Sequence, residues 1–295
     1  DSGVMKIAAD GSAVIWATWL GGSGDDATAT SIRVHADESV FVAGSTYSSD
    51  FPTTDGAADR SHGGKVDFYV ARLGPEGKKL VYATYLGGDG DEWINTHNLA
   101  LDEAGNAYAS FATSSTNFLT TPGAYQSRRE GADDWAVVRL SPSGALLAST
   151  LVGGSAGENP DGIVVHPEAG VFVSGQSNSL DFPTSDDALQ ATSNGGEDAV
   201  LVLLSHDLGK LRYATYLGGR SDDNARSGFM DDAGNLYLTG SSFGPGWPAV
   251  HTGQAAYGGG KRDCVVAALR RAGGAIGSDE KTDPPGGVDG PAKNR

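Results

Sequence analysis

One phrase occurs four times in this sequence at almost equal intervals, and this repetition limits the fold more than any other feature. A β-branched and aromatic run, a pair of glycines and a group of acidic residues follow one another in the same order each time. The glycine pairs begin at Gly21, Gly87, Gly153 and Gly218, with spacings of 66, 66 and 65 residues. Such a regular period indicates one array of similar units that share a continuous core.

Each unit contains two predicted β-hairpins. Alternating apolar runs around turns of Asp, Glu, Gly and Asn predict the first hairpin, and a loop of roughly twenty residues separates it from the second. The predicted hairpin strands cover residues 31–46, 67–86, 98–113, 134–152, 162–177, 198–217 and 228–242. One unit is therefore four antiparallel strands, here called a, b, c and d. Tandem four-stranded units predict an all-β protein of the β-propeller class, built of four-stranded blades.

The segments "GGSGDDATATSIRVHADESVFVAGSTYSSDFPTT" and "DFYVARLGPEGKKLVYATYLGG" resemble the SBBP repeat of bacterial β-propeller proteins. The resemblance covers residues 4–273 and includes the "DFPT" segments at 50–53 and 181–184. It implies a propeller fold and an exported bacterial protein. We therefore expect a periplasmic or extracellular location, with a signal or anchor removed. The resemblance implies no established chemistry.

We expect a single propeller domain over residues 1–276 and a flexible tail over residues 277–295, because the tail has almost no apolar residues. The repeat units are 21–86, 87–152, 153–217 and 218–273. The favoured arrangement is a ring of four blades that residues 4–20 close. In it, the strand near 15–20 completes the last blade and residues 5–9 add an edge strand. A ring of five blades, one of them incomplete, is the alternative.

Charge and composition exclude several partners. The net charge of -16 and the pI near 4.6 produce a field that repels nucleic acids and anionic lipids, so we expect no nucleic-acid binding. No apolar run reaches the ~20 residues of a membrane-spanning helix, and we expect no transmembrane segment in this chain. The single cysteine, Cys264 in "DCVVAALRR", is predicted to be a buried strand residue.

The glycine pairs are predicted to release the chain from outer strand d so that it can cross to inner strand a of the next unit. Acidic residues on this crossing would accept hydrogen bonds from the N–H groups of the turn, and this structural role is favoured. A calcium site is the alternative, and no other cofactor is expected. Its ligands would be Asp25, Asp26, Asp91, Glu92, Asp222 and Asp223. The third copy offers only Glu158 and Asn159, so a fourfold symmetric site is not expected.

The candidate residues for binding a ligand or partner lie on long loops and crossings: Trp93, His97, Tyr125, Trp247 and His251. Aromatic rings in such polar, glycine-rich surroundings either fill the space between blades or offer a platform to a sugar or a protein. Filling is favoured, most clearly for Phe51 and Phe182 of the "DFPT" segments, because these two residues recur from blade to blade.

The sequence contains no zinc-ligand spacing, nucleophile elbow or haem-attachment motif. We therefore expect a non-catalytic protein-binding or scaffold subunit, peripheral to a membrane or cell-surface complex. A carbohydrate-binding propeller is the alternative. A polysaccharide lyase or hydrolase is less favoured; in it Tyr125 or His62 would act as the base, and Arg128 and Arg129 would neutralise an acidic sugar.

Overall fold

The computed structural model describes residues 1–26, 28–95, 97–250 and 253–270, without the side chains of 28–30. These residues form strands, turns and loops, and none of them lies in a helix. The prediction of an all-β propeller built of four-stranded antiparallel blades is confirmed. The predicted tail over 277–295 lies outside the described residues, as does His251.

The strands form five antiparallel sheets, numbered I to V in chain order. Sheet I contains β1 (Ser2–Ile7) and β2 (Val14–Leu20), and sheet II contains β3 (Thr28–Val34), β4 (Val40–Thr46), β5 (Asp67–Leu73) and β6 (Leu80–Leu86). Sheet III contains β7 (Glu92–Trp93), β8 (Leu99–Leu101), β9 (Ala107–Thr113), β10 (Asp134–Leu140) and β11 (Leu146–Val152). Sheet IV contains β12 (Glu158–His166), β13 (Gly170–Ser177), β14 (Asp198–Leu204) and β15 (Leu211–Leu217). Sheet V contains β16 (Asp223–Met230), β17 (Leu236–Ser242) and β18 (Asp263–Leu269).

Strands a to d pair in chain order in sheets II and IV, as the hairpin pattern predicted. In sheet III strand a is divided into β7 and β8, which both pair with β9. Strands β12 and β16 begin earlier than predicted, at Glu158 and Asp223, because each contains a register shift. The shifts lie between Pro160 and Gly162 and between Ala225 and Ser227. Such a bulge accommodates an extra residue without ending the pairing, so the acidic residue of the crossing is also the first residue of the strand.

The sheets pack against one another in chain order, and an apolar core lies between each pair of neighbours. Strand β5 shows how one strand serves two cores. Phe68 and Val70 point into the core between sheets II and III, whereas Tyr69 and Ala71 point into the core between sheets I and II. This division follows from the alternation of side chains along a strand. Phe68 stacks on Phe111 of sheet III with ring centroids 4.3 Å apart.

The structure differs from the predicted ring closure at the N-terminus. Strand β2 pairs with β1, from Ser2 opposite Leu20 onward, and no described strand pairing joins sheet I to β18. A tight turn, in which Ala8 N donates to Ala13 O at 2.8 Å, connects the two strands. Such a local hairpin closes a far shorter loop than a pairing with β18 would, and its entropic cost is lower.

No other sheet among the described residues covers the outer face of sheet V. For this reason Cys264 of β18 is exposed, and the prediction that it is buried is wrong. The residue does lie in a strand, opposite Ser241 of β17. The sequence pattern correctly indicated the strand, but burial also requires a neighbouring sheet.

Candidate functional site

The crossings from sheet II to III, from III to IV and from IV to V are each built around two buried carboxylates. Between sheets II and III, Gly87 lies beside Asp67, the first residue of β5, and Glu92, the first residue of β7. A Cβ atom on Gly87 would be 2.6 Å from Glu92 Oε2 and 2.7 Å from Asp67 Oδ1, so a side chain there would displace the carboxylates. The two later crossings repeat this arrangement: Gly153 with Asp134 and Glu158, and Gly218 with Asp198 and Asp223. At Gly21 the buried Asp26 is accompanied by Asp1, which is exposed.

The hydrogen bonds of Glu92 connect the crossing to the following sheet. Glu92 Oε1 accepts hydrogen bonds from Thr113 Oγ1 at 2.7 Å and from Ser115 Oγ at 2.6 Å. Its Oε2 is buried beside Gly87. The equivalent bonds at the next crossing join Glu158 to Ser177 and Ser179.

Burial changes the acidity of these pairs. It raises the pKa of Glu92 to about 7, and the negative charge of Asp67 contributes to the increase. Burial also raises the pKa of Asp67 itself. The same cause raises the pKa at the later crossings, in Asp134, Glu158, Asp198 and Asp223. A proton near neutral pH therefore reduces the repulsion within the Asp67–Glu92 pair. Because both residues are 0 % exposed, the pair braces the crossing inside the fold.

The carboxylate pairs contain three of the six predicted calcium ligands: Asp26, Glu92 and Asp223. The other three lie next to them in the chain: Asp25, Asp91 and Asp222. Asp91 Oδ1 accepts a hydrogen bond from Lys65 N at 3.1 Å, and Asp222 Oδ1 accepts one from Glu197 N at 3.0 Å. Both donors lie in the preceding b–c loop. The bonds within the turn that the sequence favoured are made by the neighbouring acids: Asp26 accepts from Gly22 N at 2.8 Å, and Asp223 accepts from Gly219 N at 2.6 Å. Within the described ranges, no three His, Cys, Asp or Glu side chains converge as a metal site would require. Calcium binding stays a prediction.

Sequence reasoning missed half of each pair. It did not single out the aspartates that begin strands c: Asp67, Asp134 and Asp198. The third crossing, which offered only Glu158 and Asn159 as calcium ligands, nevertheless keeps the paired acid: Glu158 takes the same place beside Gly153 as Glu92 takes beside Gly87. The signal was present in the spacing, since every glycine pair is followed by an acid five residues after its first glycine: Asp26, Glu92, Glu158 and Asp223.

The predicted ligand-binding side chains do not come together. Tyr125 packs against the core between sheets III and IV, and Trp247 packs against the core between sheets IV and V. Trp93 is 43 % exposed on β7. His97 lines a cavity between the inner strands. These residues therefore lie in different parts of the surface and the cavity and do not form one binding site.

The two phenylalanines of the "DFPT" segments fill space between blades, as predicted. Phe51 and Phe182 are each 3 % exposed. Their backbone N–H groups donate to Tyr85 OH and Tyr216 OH, both at 2.9 Å, so the loop before strand c is held to strand d of its own sheet. The recurrence of these residues thus has an architectural reason.

Each sheet is antiparallel and contains up to four strands in the order a to d, and the chain crosses inward from one sheet to the next. This arrangement defines a β-propeller. Among solved structures, the chain is similar to a crystal structure of a protein of unknown function from Bacteroides caccae. The TM-score is 0.39 at 12% identity, with coverage of 80% of this chain and 63% of that chain. It is also similar to an X-ray structure of a protein with the provisional name gluconolactonase. There the TM-score is 0.32 at 14% identity, with coverage of 77% of this chain and 78% of that chain.

This chain spans less than two thirds of the Bacteroides caccae protein, and at these TM-scores neither similarity bears on function. No family model and no curated protein match the chain. Its resemblance to the SBBP repeat stays a prediction. The described residues include no helix that is long and apolar enough to cross a membrane.

Proposed function

We propose that this chain is a non-catalytic propeller that binds another protein, as a scaffold subunit of an exported assembly at a membrane or cell surface. One observation carries the proposal: both terminal sheets have an apolar outer face that no other described sheet covers. On sheet I, Trp19 is 77% exposed and Met5 is 56% exposed. On sheet V, Val266 is 75% exposed and Phe229 is 63% exposed. Exposed apolar faces of this kind are typical of protein interaction sites.

The interior sheets indicate what kind of partner fits. Strand β5 of sheet II is the equivalent of β18, and its Phe68 and Val70 pack against the apolar face of sheet III. We therefore expect a partner protein that presents an apolar sheet face to sheet V or sheet I. Strand β18 pairs only with β17 among the described strands, so its outer edge also offers backbone groups to a partner strand. The net charge of -16 favours a partner with basic residues around this contact.

The single cysteine provides a direct test, because Cys264 is exposed on the uncovered face. In the isolated chain the thiol should react with a disulfide reagent as readily as the thiol of the unfolded chain. In a stoichiometric complex purified from native membranes, it should be protected. A slowly reacting thiol in a chain that sediments as a monomer would mean that the ring closes on itself, and the proposal would fail.

Two substitutions on the uncovered faces identify the contact, Trp19→Ser and Val266→Asp. Each should leave the chain folded and remove it from the native complex. Leu147→Ser is the matched control, because Leu147 is 48% exposed on β11, away from both terminal faces. Loss of the complex with all three variants, or with none, would contradict binding through the terminal sheets.

A carbohydrate-binding propeller is the second candidate, and the exposed ring of Trp93 is the observation that favours it. An aromatic face in a polar loop can stack on a sugar ring. The test is a glycan array probed with the wild-type chain and with Trp93→Ala. Binding that Trp93→Ala abolishes would support this function, and the absence of any bound glycan would remove it.

A further inference from the structure

The inner strands of sheets II to V line a central cavity of about 410 Å³ that is open to solvent. Strands β3, β8, β12 and β16 each contribute to its wall. The wall is mainly apolar, with Val34, Ile163 and Phe229 among its residues, and Arg33 and His97 are its cationic or titratable side chains. A cavity of this size, with a few polar groups in an apolar wall, has the composition of a small-molecule site.

Arg33 is the unusual member of this wall. Burial lowers the pKa of its guanidinium, and no carboxylate among the described residues forms an ion pair with it. Its Nη1 donates to Ile32 O at 2.8 Å, which leaves most of the five N–H donors of the guanidinium for another partner. The charged pair on the neighbouring strands, Arg226 with Asp161 at 3.4 Å, neutralises itself. Burying a charge without a partner is costly, and Arg33 has no acidic partner in the described part of the chain although the chain has a net charge of -16. An anion that binds to Arg33 from solution would compensate this cost.

The backbone of His97 is in the left-handed region, with φ of 69°. Glu38 and Leu208 also have positive φ, but they lie in hairpin turns, where this conformation is common. His97 instead precedes β8 and lines the cavity, and its carbonyl accepts a hydrogen bond from Ile163 N at 3.2 Å. A strained residue held by its surroundings is a frequent feature of binding sites. Burial and the charge of Arg33 lower the pKa of His97, so its ring is a neutral hydrogen-bond donor at pH 7.

We propose that the central cavity binds a small organic oxyanion, with its carboxylate or phosphate group on Arg33 and His97 and its apolar part against Ile163 and Phe229. Arginine binds either oxyanion through two parallel N–H donors. The apolar wall selects for a ligand with an aliphatic or aromatic body. Phe229 borders both this site and the exposed face of sheet V, whereas Arg33, His97 and Ile163 belong to neither of the terminal faces that carry the proposed protein binding.

The test is a titration of the folded chain with three probes of similar size: benzoate, phenyl phosphate and the neutral benzyl alcohol. We expect saturable binding of benzoate or phenyl phosphate by isothermal calorimetry, and the tighter of the two identifies the anionic group. Benzyl alcohol should bind at least about tenfold more weakly, because it cannot use the charge of Arg33.

Variants assign the binding to these residues. Arg33→Gln should weaken binding of the oxyanion at least about tenfold, the value expected when a charge-assisted hydrogen bond is lost. Arg128→Gln makes the same charge change on an exposed loop residue and should have no effect. His97→Asn, which tolerates the left-handed backbone, should weaken binding severalfold. If Arg33→Gln does not fold, Arg33→Lys keeps the charge without the paired donors and should bind with intermediate affinity.

Three results would overturn the proposal. They are equal affinities of the Arg33 and Arg128 variants, binding of benzyl alcohol as tight as that of benzoate, and the absence of saturable binding by both oxyanions. Because none of these measurements involves a partner protein, failure here leaves the proposed scaffold function unaffected.

Discussion

Strand c of sheet IV and strand c of sheet V have similar sequences and different surroundings. All seven residues of β14, Asp198–Leu204, are buried. In β18, Asp263–Leu269, exposure alternates along the strand, and Val266 is 75% exposed. Sheets III and V cover the two faces of sheet IV, whereas the described residues place a neighbouring sheet on only one face of sheet V. The same apolar pattern therefore forms a fully buried strand in sheet IV and a strand with one exposed face in sheet V.

Strand d shows the same contrast at the other end of the array. The phrases "WATWL" and "YATYL" place Trp19 of β2 and Tyr85 of β6 at equivalent positions. Trp19 is 77% exposed, and Tyr85 is 1% exposed. Tyr85 OH also donates to Ser48 O at 2.7 Å, a contact that needs the b–c loop of a complete blade. A repeat unit thus reaches its full stability only between two others.

The largest expected effect comes from placing a charge on the two equivalent strands c. Val70→Asp buries a carboxylate at a position that is 0% exposed, and we expect the free energy of unfolding to fall by more than about 4 kcal/mol. Val266→Asp in the isolated chain should change it by less than about 0.5 kcal/mol. Denaturant unfolding of both variants measures the difference. Equal losses would mean that the outer face of sheet V is covered in solution.

Adding a methyl group to a glycine compares the packing of an interior crossing with that of the loop before β18. In Gly87→Ala the new Cβ would meet Glu92 Oε2 and Asp67 Oδ1, and we expect a loss of about 1 to 3 kcal/mol in the free energy of unfolding. Gly253→Ala is the control, because nothing lies within 4 Å of its Cβ position. Its effect should stay within about 0.5 kcal/mol. A Gly87→Ala variant as stable as the control would show that the carboxylate pair is not closely packed around the glycine.

The pH dependence of stability distinguishes an interior acid from an exposed one. The pKa of Glu92 in the folded chain, about 7, lies above the ordinary value of 4.5, so the folded state holds the proton more tightly. This stabilisation is complete below pH 4.5 and is lost as the pH rises through 7. Between pH 5 and pH 8 we expect the wild type to lose stability on the order of 2 kcal/mol from this group. Glu92→Gln should remove that part of the dependence, because the amide does not titrate.

Asp37 provides the control for this measurement. Hydrogen bonds from Ser39 hold the pKa of the exposed Asp37 well below its ordinary value, so the residue is charged throughout the window from pH 5 to pH 8. Asp37→Asn should therefore shift stability equally at both ends of the window. Asp161, whose pKa burial raises to about 6, contributes to the remaining slope in all variants. An unchanged slope in Glu92→Gln would mean that Glu92 is charged in the folded chain at neutral pH.

The smallest expected effect concerns calcium. We expect millimolar calcium to shift the melting temperature no more than a matched increase in ionic strength does, because the acids of the crossings already accept hydrogen bonds from the turn, the preceding loop or the next sheet. A ligand at a hundredfold excess over its dissociation constant would stabilise the folded state by about 2.7 kcal/mol, which a melting curve resolves readily. A calcium-specific rise that Asp91→Asn abolishes would establish the site that the sequence offered as the alternative.

Much of the architecture was readable from the sequence. The glycine spacing predicted the units, and the alternating runs placed the hairpins close to their observed positions because the side-chain period of a strand appears directly in the sequence. The starts of β12 and β16 were missed, since a bulge interrupts the alternation without ending the strand. At the crossings, the sequence indicated acids that brace a turn. It did not indicate the pairing of Glu92 with Asp67, which lie 25 positions apart and meet only when the sheets pack.

By itself, the sequence determined local conformation: strand direction, turn positions and the glycines at which the chain crosses between sheets. These properties depend on backbone angles and side-chain alternation within a few residues. The tertiary structure decided burial and proximity. Only the stacking of sheets covers Tyr85 and leaves Trp19 exposed, separates Tyr125 from Trp247, and places Arg33 beside His97 in one cavity. The physical reason is that burial and charge pairing depend on which sheet lies opposite, and every repeat unit carries nearly the same local pattern whatever its neighbour is.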